Sequence, residues 1–150
     1  MYIDLEGADL TGKSTLLKTT FHSSDYSKIM CFHDRGILTH YVYNTLYKRY
    51  LEDILMWKDQ LLRFAQNSGI ILLVANDNNI LRERYDNLRK DDIYKREEIV
   101  KINTHYQQIY METLQYFENI KQIIIDNKSP LEIFEEASEH YEFMLRKATT

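Results

Sequence analysis

One cysteine, one proline and four glycines in 150 residues leave this chain few devices for stapling or breaking its backbone. With Cys31 as the only cysteine, no internal disulfide and no paired-cysteine metal site can form. That usage suits a reducing cytoplasm. The histidines (His22, His33, His40, His105 and His140) stand at no metal-ligand spacing from one another, and no elbow motif supports a Ser-His-Asp nucleophile. Scarce Pro and Gly leave no linker, and no repeat or low-complexity tract interrupts the chain, so one domain over residues 1–150 is expected. No apolar run reaches the length of a membrane span, and the opening MYIDLEG lacks the basic-then-apolar pattern of a secretory leader. The expectation is therefore a cytoplasmic protein with no membrane partner. A net charge of −4 and a pI near 5.7 exclude a global basic field that would attract nucleic acid, so basic clusters are judged one at a time.

What is present is a regular alternation. Apolar runs at residues 2–6, 28–33, 69–75 and 122–126 read as buried strands, because they are short, β-branched and flanked by Gly, Asn or Asp. Each is followed by a helical pattern: residues 13–21, one bent helix or two over 37–67, then 79–89 and 94–117, and a last helix opened by Ser129-Pro130. Trp57 and Cys31 read as packing residues, the latter inert within a buried strand. Alternating strand–helix units argue an α/β fold, a parallel sheet of about four strands with helices on both faces. Ligands of such sheets bind at the carboxyl ends of the strands. Three segments fall there: the glycine loop after the first strand, Asp34-Arg35 after the second, and Asn76-Asp77 after the third. The connection rules place the first strand between the Asp34 strand and the third.

Residues 5–16 read LEGADLTGKSTL, so Gly7 stands four residues before Gly12-Lys13-Ser14. A polyphosphate needs many donors in a small space, and Gly7 and Gly12 let the backbone through Ala8, Asp9, Leu10 and Thr11 wrap with its N–H groups inward. The helix starting near Lys13 adds its positive end, with Ser14 and Thr15 in its first turn. Lys13 would reach the β- and γ-phosphates of ATP, and the Ser14 hydroxyl would ligate Mg²⁺. The second strand ends in Asp34, which would hold Mg²⁺ through water, and Arg35 offers a planar fork for a phosphoryl oxygen. Capping of the next helix, with a neighbouring Asp–Arg pair, is the other reading of these two residues. Between residues 82 and 96, Arg82, Arg84, Arg89, Lys90, Lys95 and Arg96 crowd together. They fit a lid that supplies arginines to a transferring phosphoryl group, with Arg82 and Arg84 nearest the mouth and Arg89 and Arg96 second. Interleaved Glu83, Asp86, Asp91, Asp92, Glu97 and Glu98 also describe an exposed face of paired charges.

These residues carry a family resemblance. E-G-x-D-x-x-G-K-S-T at Glu6–Thr15 resembles the phosphate loop of thymidylate kinases, including the acidic residue inside the loop. D-R-x-x-L-T-x-x-V-Y at Asp34–Tyr43 is similar to their D-R-x-x-x-S-x-x-A-Y segment, and residues 123–137 to their last strand and helix. The resemblance implies a P-loop NTPase/kinase-like three-layer fold. It implies ATP- and Mg²⁺-dependent phosphoryl transfer to a deoxynucleotide, thymidylate or a close analogue. It puts Asp9 near the acceptor's sugar hydroxyl and the metal, and Arg35 on the acceptor phosphate. Thr39 and Tyr43 fall on the helix lining the base pocket, where Tyr43 reads equally as core packing and Thr39 as a helix-start residue. A homodimer through the helices is a further implication. The chain departs from the family in one place. Only 20 residues separate Lys13 from Asp34, where the family inserts another strand and helices, and residues 19–27 leave no room for them. The donor half is complete and the acceptor half trimmed. Two alternatives follow: a kinase of a hydroxyl on a nucleoside or on a modified base in DNA, with Asp34 or Asp9 as base, and a nucleotide-binding protein without catalysis.

Overall fold

A computed structural model describes residues 1–23, 25–88 and 94–149. Four strands, β1 (Tyr2–Glu6), β2 (Cys31–Asp34), β3 (Gly69–Val74) and β4 (Ile120–Ile124), form one sheet in the order β2-β1-β3-β4, and every pairing is parallel. The expected place of β1, between β2 and β3, is observed. Parallel neighbours need a crossover, and here helices provide each one: α1 (Lys13–Ser23), α2 (Ile37–Leu46), α3 (Ile54–Asn67), α4 (Asn78–Leu88), α5 (Arg96–Ile109) and, after β4, α6 (Pro130–Thr149). The chain is an α/β protein.

Two groups of helices flank the sheet. α1 packs on α6, while α2 packs on α3 and α5. The pleat of β1 separates the two sides. Ile3 lies with Gly69 and Met144 toward α6, whereas Asp4 and Glu6 turn toward the start of α2. The core is centred on β3, whose six residues are all buried. That suits a strand flanked in the sheet and covered on both faces.

The boundaries moved where packing overrode pattern. Residues 37–67 form two helices, separated by a 3₁₀ turn over Leu51–Asp53 with Tyr50 in the left-handed region at φ 50°. β2 starts later than expected, because Ile29 and Met30 bond back through their N–H groups to Tyr26 O in a 3₁₀ turn over Tyr26–Lys28. β4 runs two residues earlier than expected. The long helix after the basic cluster ends at Ile109 and passes into a π turn over Tyr110–Leu114. Cys31 is a correction: it is exposed, because β2 is the edge strand and not an interior one. Trp57 stacks on His40 at 5.5 Å. Among the described residues, no helix is long and apolar enough to cross a membrane.

The start of α6 formed as its sequence required. Glu132 N–H donates to Ser129 Oγ and Ser129 N–H to Glu132 Oε1, each at 3.2 Å, a capping box with Pro130 at the first helical position. Ser129→Ala should lower stability by about 1 kcal/mol in urea unfolding, with the slope unchanged.

Candidate active site

The glycine loop leaves β1 through conformations that side chains resist. Gly7 has φ 138°, and a Cβ there would sit 2.5 Å from the Leu73 carbonyl oxygen and 2.9 Å from Thr11 Oγ1. Gly12 has φ 98°, and Leu10 takes a left-handed φ of 68°. Thr11, fully buried, donates its hydroxyl to Ala8 O at 2.8 Å and so ties the loop across itself. Lys13 folds back over the loop, and its ammonium donates to Gly7 O and Ala8 O, both at 2.7 Å. Burial, with the Arg35 charge adding to it, lowers the Lys13 pKa to about 8. Asp9, Asp34 and Glu6 oppose that shift. Lys13 is therefore still a cation at neutral pH.

In front of this loop lies an open cavity of about 480 Å³. Its floor runs from Asp9 through Leu16, so Gly12, Lys13, Ser14 and Thr15 all face it, and the Ser14 and Thr15 side chains are exposed. Asp34 and Arg35 close one side. Arg35 stands in the left-handed region at φ 71° and donates Nη2 to Asp9 Oδ1. Burial opposes its charge, but Asp9, Tyr43, Tyr106 and Asp34 more than offset that and hold the guanidinium above its usual range. Asp34 is exposed at the tip of β2, within the field of Lys13.

Of the basic cluster, Arg84 reaches the cavity, donating Nη1 to Leu10 O at 2.7 Å. Arg82 turns instead to Glu97, with Nε and Nη2 at 2.9 and 3.1 Å, and Arg96 donates to Asp86 at 3.1 Å. These two pairs fasten α4 to α5, the pattern of an exposed face of paired charges. Arg89, Lys90, Asp91 and Asp92 lie outside the described residues.

Thr39 and Tyr43 do not themselves line this cavity. Thr39 donates to Glu6 Oε2 and shares a 2.9 Å hydrogen bond with the Tyr106 hydroxyl. Tyr43 is buried against Tyr47 and Tyr94, at ring distances of 6.1 and 5.6 Å. Its hydroxyl has no hydrogen-bond partner among the described residues and lies in the field of Arg35 and Asp9. Asn76 and Asp77 give their backbone N–H groups to Asp126 at 2.8 and 2.7 Å, so the third strand-end segment is a joint between β3 and β4. The opposite wall of the cavity went unread in the sequence: Lys128, Pro130 and Ile133 follow β4, and Leu88 ends α4. The strand-end rule, applied to the fourth strand as well, points to that loop.

Comparison of the chain with protein-family models, curated proteins and solved structures gives no match. The geometry therefore carries the functional argument. No group of three or more His, Cys, Asp or Glu side chains gathers as a metal site among the described residues. One hydroxyl (Ser14) and one exposed carboxylate (Asp34) on the same cavity fit Mg²⁺, which keeps waters and takes phosphate oxygens in place of a full protein cage.

Beneath the site, Glu6 is fully buried. Burial raises its pKa from the ordinary 4.5 to about 7, with the Asp4 charge adding, while bonds from Thr39 and Gly36 oppose the shift. The folded carboxyl thus keeps a proton that the unfolded chain has released. Its contribution to stability is full below 4.5 and is lost as pH rises through about 7. Glu6→Gln should therefore gain stability relative to wild type on going from about pH 5 to about pH 8, as read by urea unfolding at both.

Proposed function

We propose that this protein transfers the γ-phosphoryl group of ATP to a deoxynucleotide monophosphate, with thymidylate or a close analogue as acceptor. The observation that carries the proposal is the single cavity that gathers the glycine loop, Lys13, Ser14, Asp34, Arg35 and Arg84. Binding alone would need the loop. It would not need a second and third cation converging from β2 and α4. The resemblance of residues 6–15 and 34–43 to thymidylate kinases supports the same reading.

The chemistry follows from charge. Loop N–H groups and the first turn of α1 hold the donor phosphates, and Lys13 leaves the Gly7 and Ala8 carbonyls to meet them. A magnesium ion held by Ser14 and Asp34 would neutralise phosphate charge. Arg35 exchanges its Asp9 partner for the acceptor phosphate, bringing the acceptor oxygen into line with the γ-phosphorus. The new P–O bond forms as the bond to the β–γ bridging oxygen breaks, and the electron pair leaves with ADP. A phosphate oxygen is already anionic, so no general base is required. Arg84, moving off Leu10 O, stabilises the charge on the transferring group. Arg82, bound to Glu97, serves this step only after releasing that partner. Leu88, Pro130 and Ile133 give the cavity an apolar end suited to the adenine ring.

A second reading has one specific observation behind it. β2 is an open sheet edge and Asp34 stands exposed at its tip, so a bulky acceptor hydroxyl, on a nucleoside or on a modified base in DNA, can approach a carboxylate base. Incubation with γ-labelled ATP and a panel of deoxynucleotides, nucleosides and hydroxymethylated DNA separates the readings. Label is expected on a deoxynucleotide. Label only on a hydroxyl acceptor supports the second reading, and ATP binding without transfer overturns both and leaves a binding protein. Lys13→Ala should abolish transfer. Because the Lys13 ammonium is the binding form, wild-type ATP affinity should fall as pH is raised through about 8, and this loss should be missing from Lys13→Ala.

A further inference from the structure

An interior strand of a parallel sheet covered on both faces normally carries an unbroken apolar run. β1 is interior, yet Asp4 and Glu6 are 1% and 0% exposed. They sit two residues apart and therefore on one face of the strand. Burying two acids side by side costs stability unless partners surround them.

The partners all come from one short stretch. Asp4 shares a 2.9 Å bond with His33 Nδ1, and the nearby Ile37 amide also favours its charged form. Glu6 accepts from the Gly36 N–H at 2.7 Å and from the Thr39 hydroxyl, which continues to Tyr106. Among the described residues, no lysine or arginine hydrogen-bonds either acid, and the basic partner is the His33 imidazole on Asp4. Residues 33–39 contain the turn that carries Arg35, whose left-handed φ of 71° costs energy that surrounding contacts must hold in place. Gly36 is the position that allows the close approach: a Cβ there would lie 1.8 Å from Asp4 Oδ2. Two acids on β1, a missing Cβ and a strained arginine thus meet at one turn, and that arginine faces the cavity.

We propose that Asp4 and Glu6 are positioning residues that clasp the 33–39 turn from below, hold Arg35 in its left-handed conformation and thereby set the affinity for the acceptor's anionic group. The proposal rests on the reading of Arg35 as the acceptor clamp. Neither acid reaches substrate. Their effect passes through the Gly36 and Ile37 amides, so it falls on the acceptor and spares the donor loop.

Glu6→Ala removes half of the clasp from the strand, and Thr39→Val weakens the same contact from α2 if the first variant folds poorly. Each should speed hydrogen exchange at the Gly36 and Ile37 amides by about tenfold or more and raise KM for the acceptor by about tenfold. ATP affinity, read with a fluorescent analogue, should stay within about twofold. Glu6→Gln, which can still accept from the Gly36 N–H and donate to Thr39 Oγ1, should restore slow exchange and most of the acceptor affinity. Unchanged exchange at both amides in a folded variant overturns the clasp. So does a rise in acceptor KM matched by an equal loss of ATP affinity. Exchange and ATP binding need no turnover. Should the wild-type protein phosphorylate nothing, the kinase reading falls while faster exchange still supports the clasp and unchanged exchange still overturns it.

Discussion

An ionisable side chain removed from water must be surrounded by partners, and this requirement shapes the carboxyl end of the sheet more than any other. Burying a charge costs on the order of several kcal/mol when nothing compensates it. Lys13, Asp4 and Glu6 are all buried there, and Arg35 is partly so. Each has found its compensation within a few residues of the strand ends: loop carbonyls for Lys13, His33 for Asp4, the Gly36 amide and Thr39 hydroxyl for Glu6, and Asp9 for Arg35. The arrangement is closed on itself. The cations of the cavity are thus already engaged by partners from the chain itself.

The scaffold explains why those groups can meet. Parallel order brings the ends of β1 and β2 side by side, with Leu5 opposite Asp34. Arg35 N–H then bonds Leu5 O at 3.0 Å, pinning the turn to the strand that launches the glycine loop. The loop itself passes so near β3 that Gly7 admits no side chain. The Asp126 carboxylate and the Asn103 amide secure the next strand ends, Asn103 exchanging bonds of 3.1 and 2.9 Å with Ala75. Lys13, Arg35 and Arg84 are held against this rim by hydrogen bonds to Gly7 O and Ala8 O, to Asp9 and to Leu10 O.

Much of this was readable in the linear chain. Strand runs, the capping Ser129-Pro130 and the Gly7-to-Ser14 spacing are local signals, because backbone geometry and short-range hydrogen bonds decide them. The boundary of β2 and the break between α2 and α3 were less legible, since they depend on what packs above them. The basic cluster shows the limit most clearly. Arg82, Arg84 and Arg96 look alike in sequence, yet Arg84 meets Leu10 O while the others meet Glu97 and Asp86. Which arginine reaches the cavity is a matter of helix phase and the position of α5, neither of which spacing specifies.

The sequence by itself determined the alternation of strands and helices, the tight glycine loop after the first strand, and the neighbouring Asp34 and Arg35. These follow from periodicity and from residues with special backbone freedom, which act over a few positions. Only the tertiary structure decided that Cys31 lies on an open edge, that Lys128 and Ile133 complete the cavity, and that Asp4 and Glu6 sit beneath Arg35. Those facts depend on contacts between residues about thirty or more than a hundred positions apart, and such contacts exist only once the sheet has chosen its order.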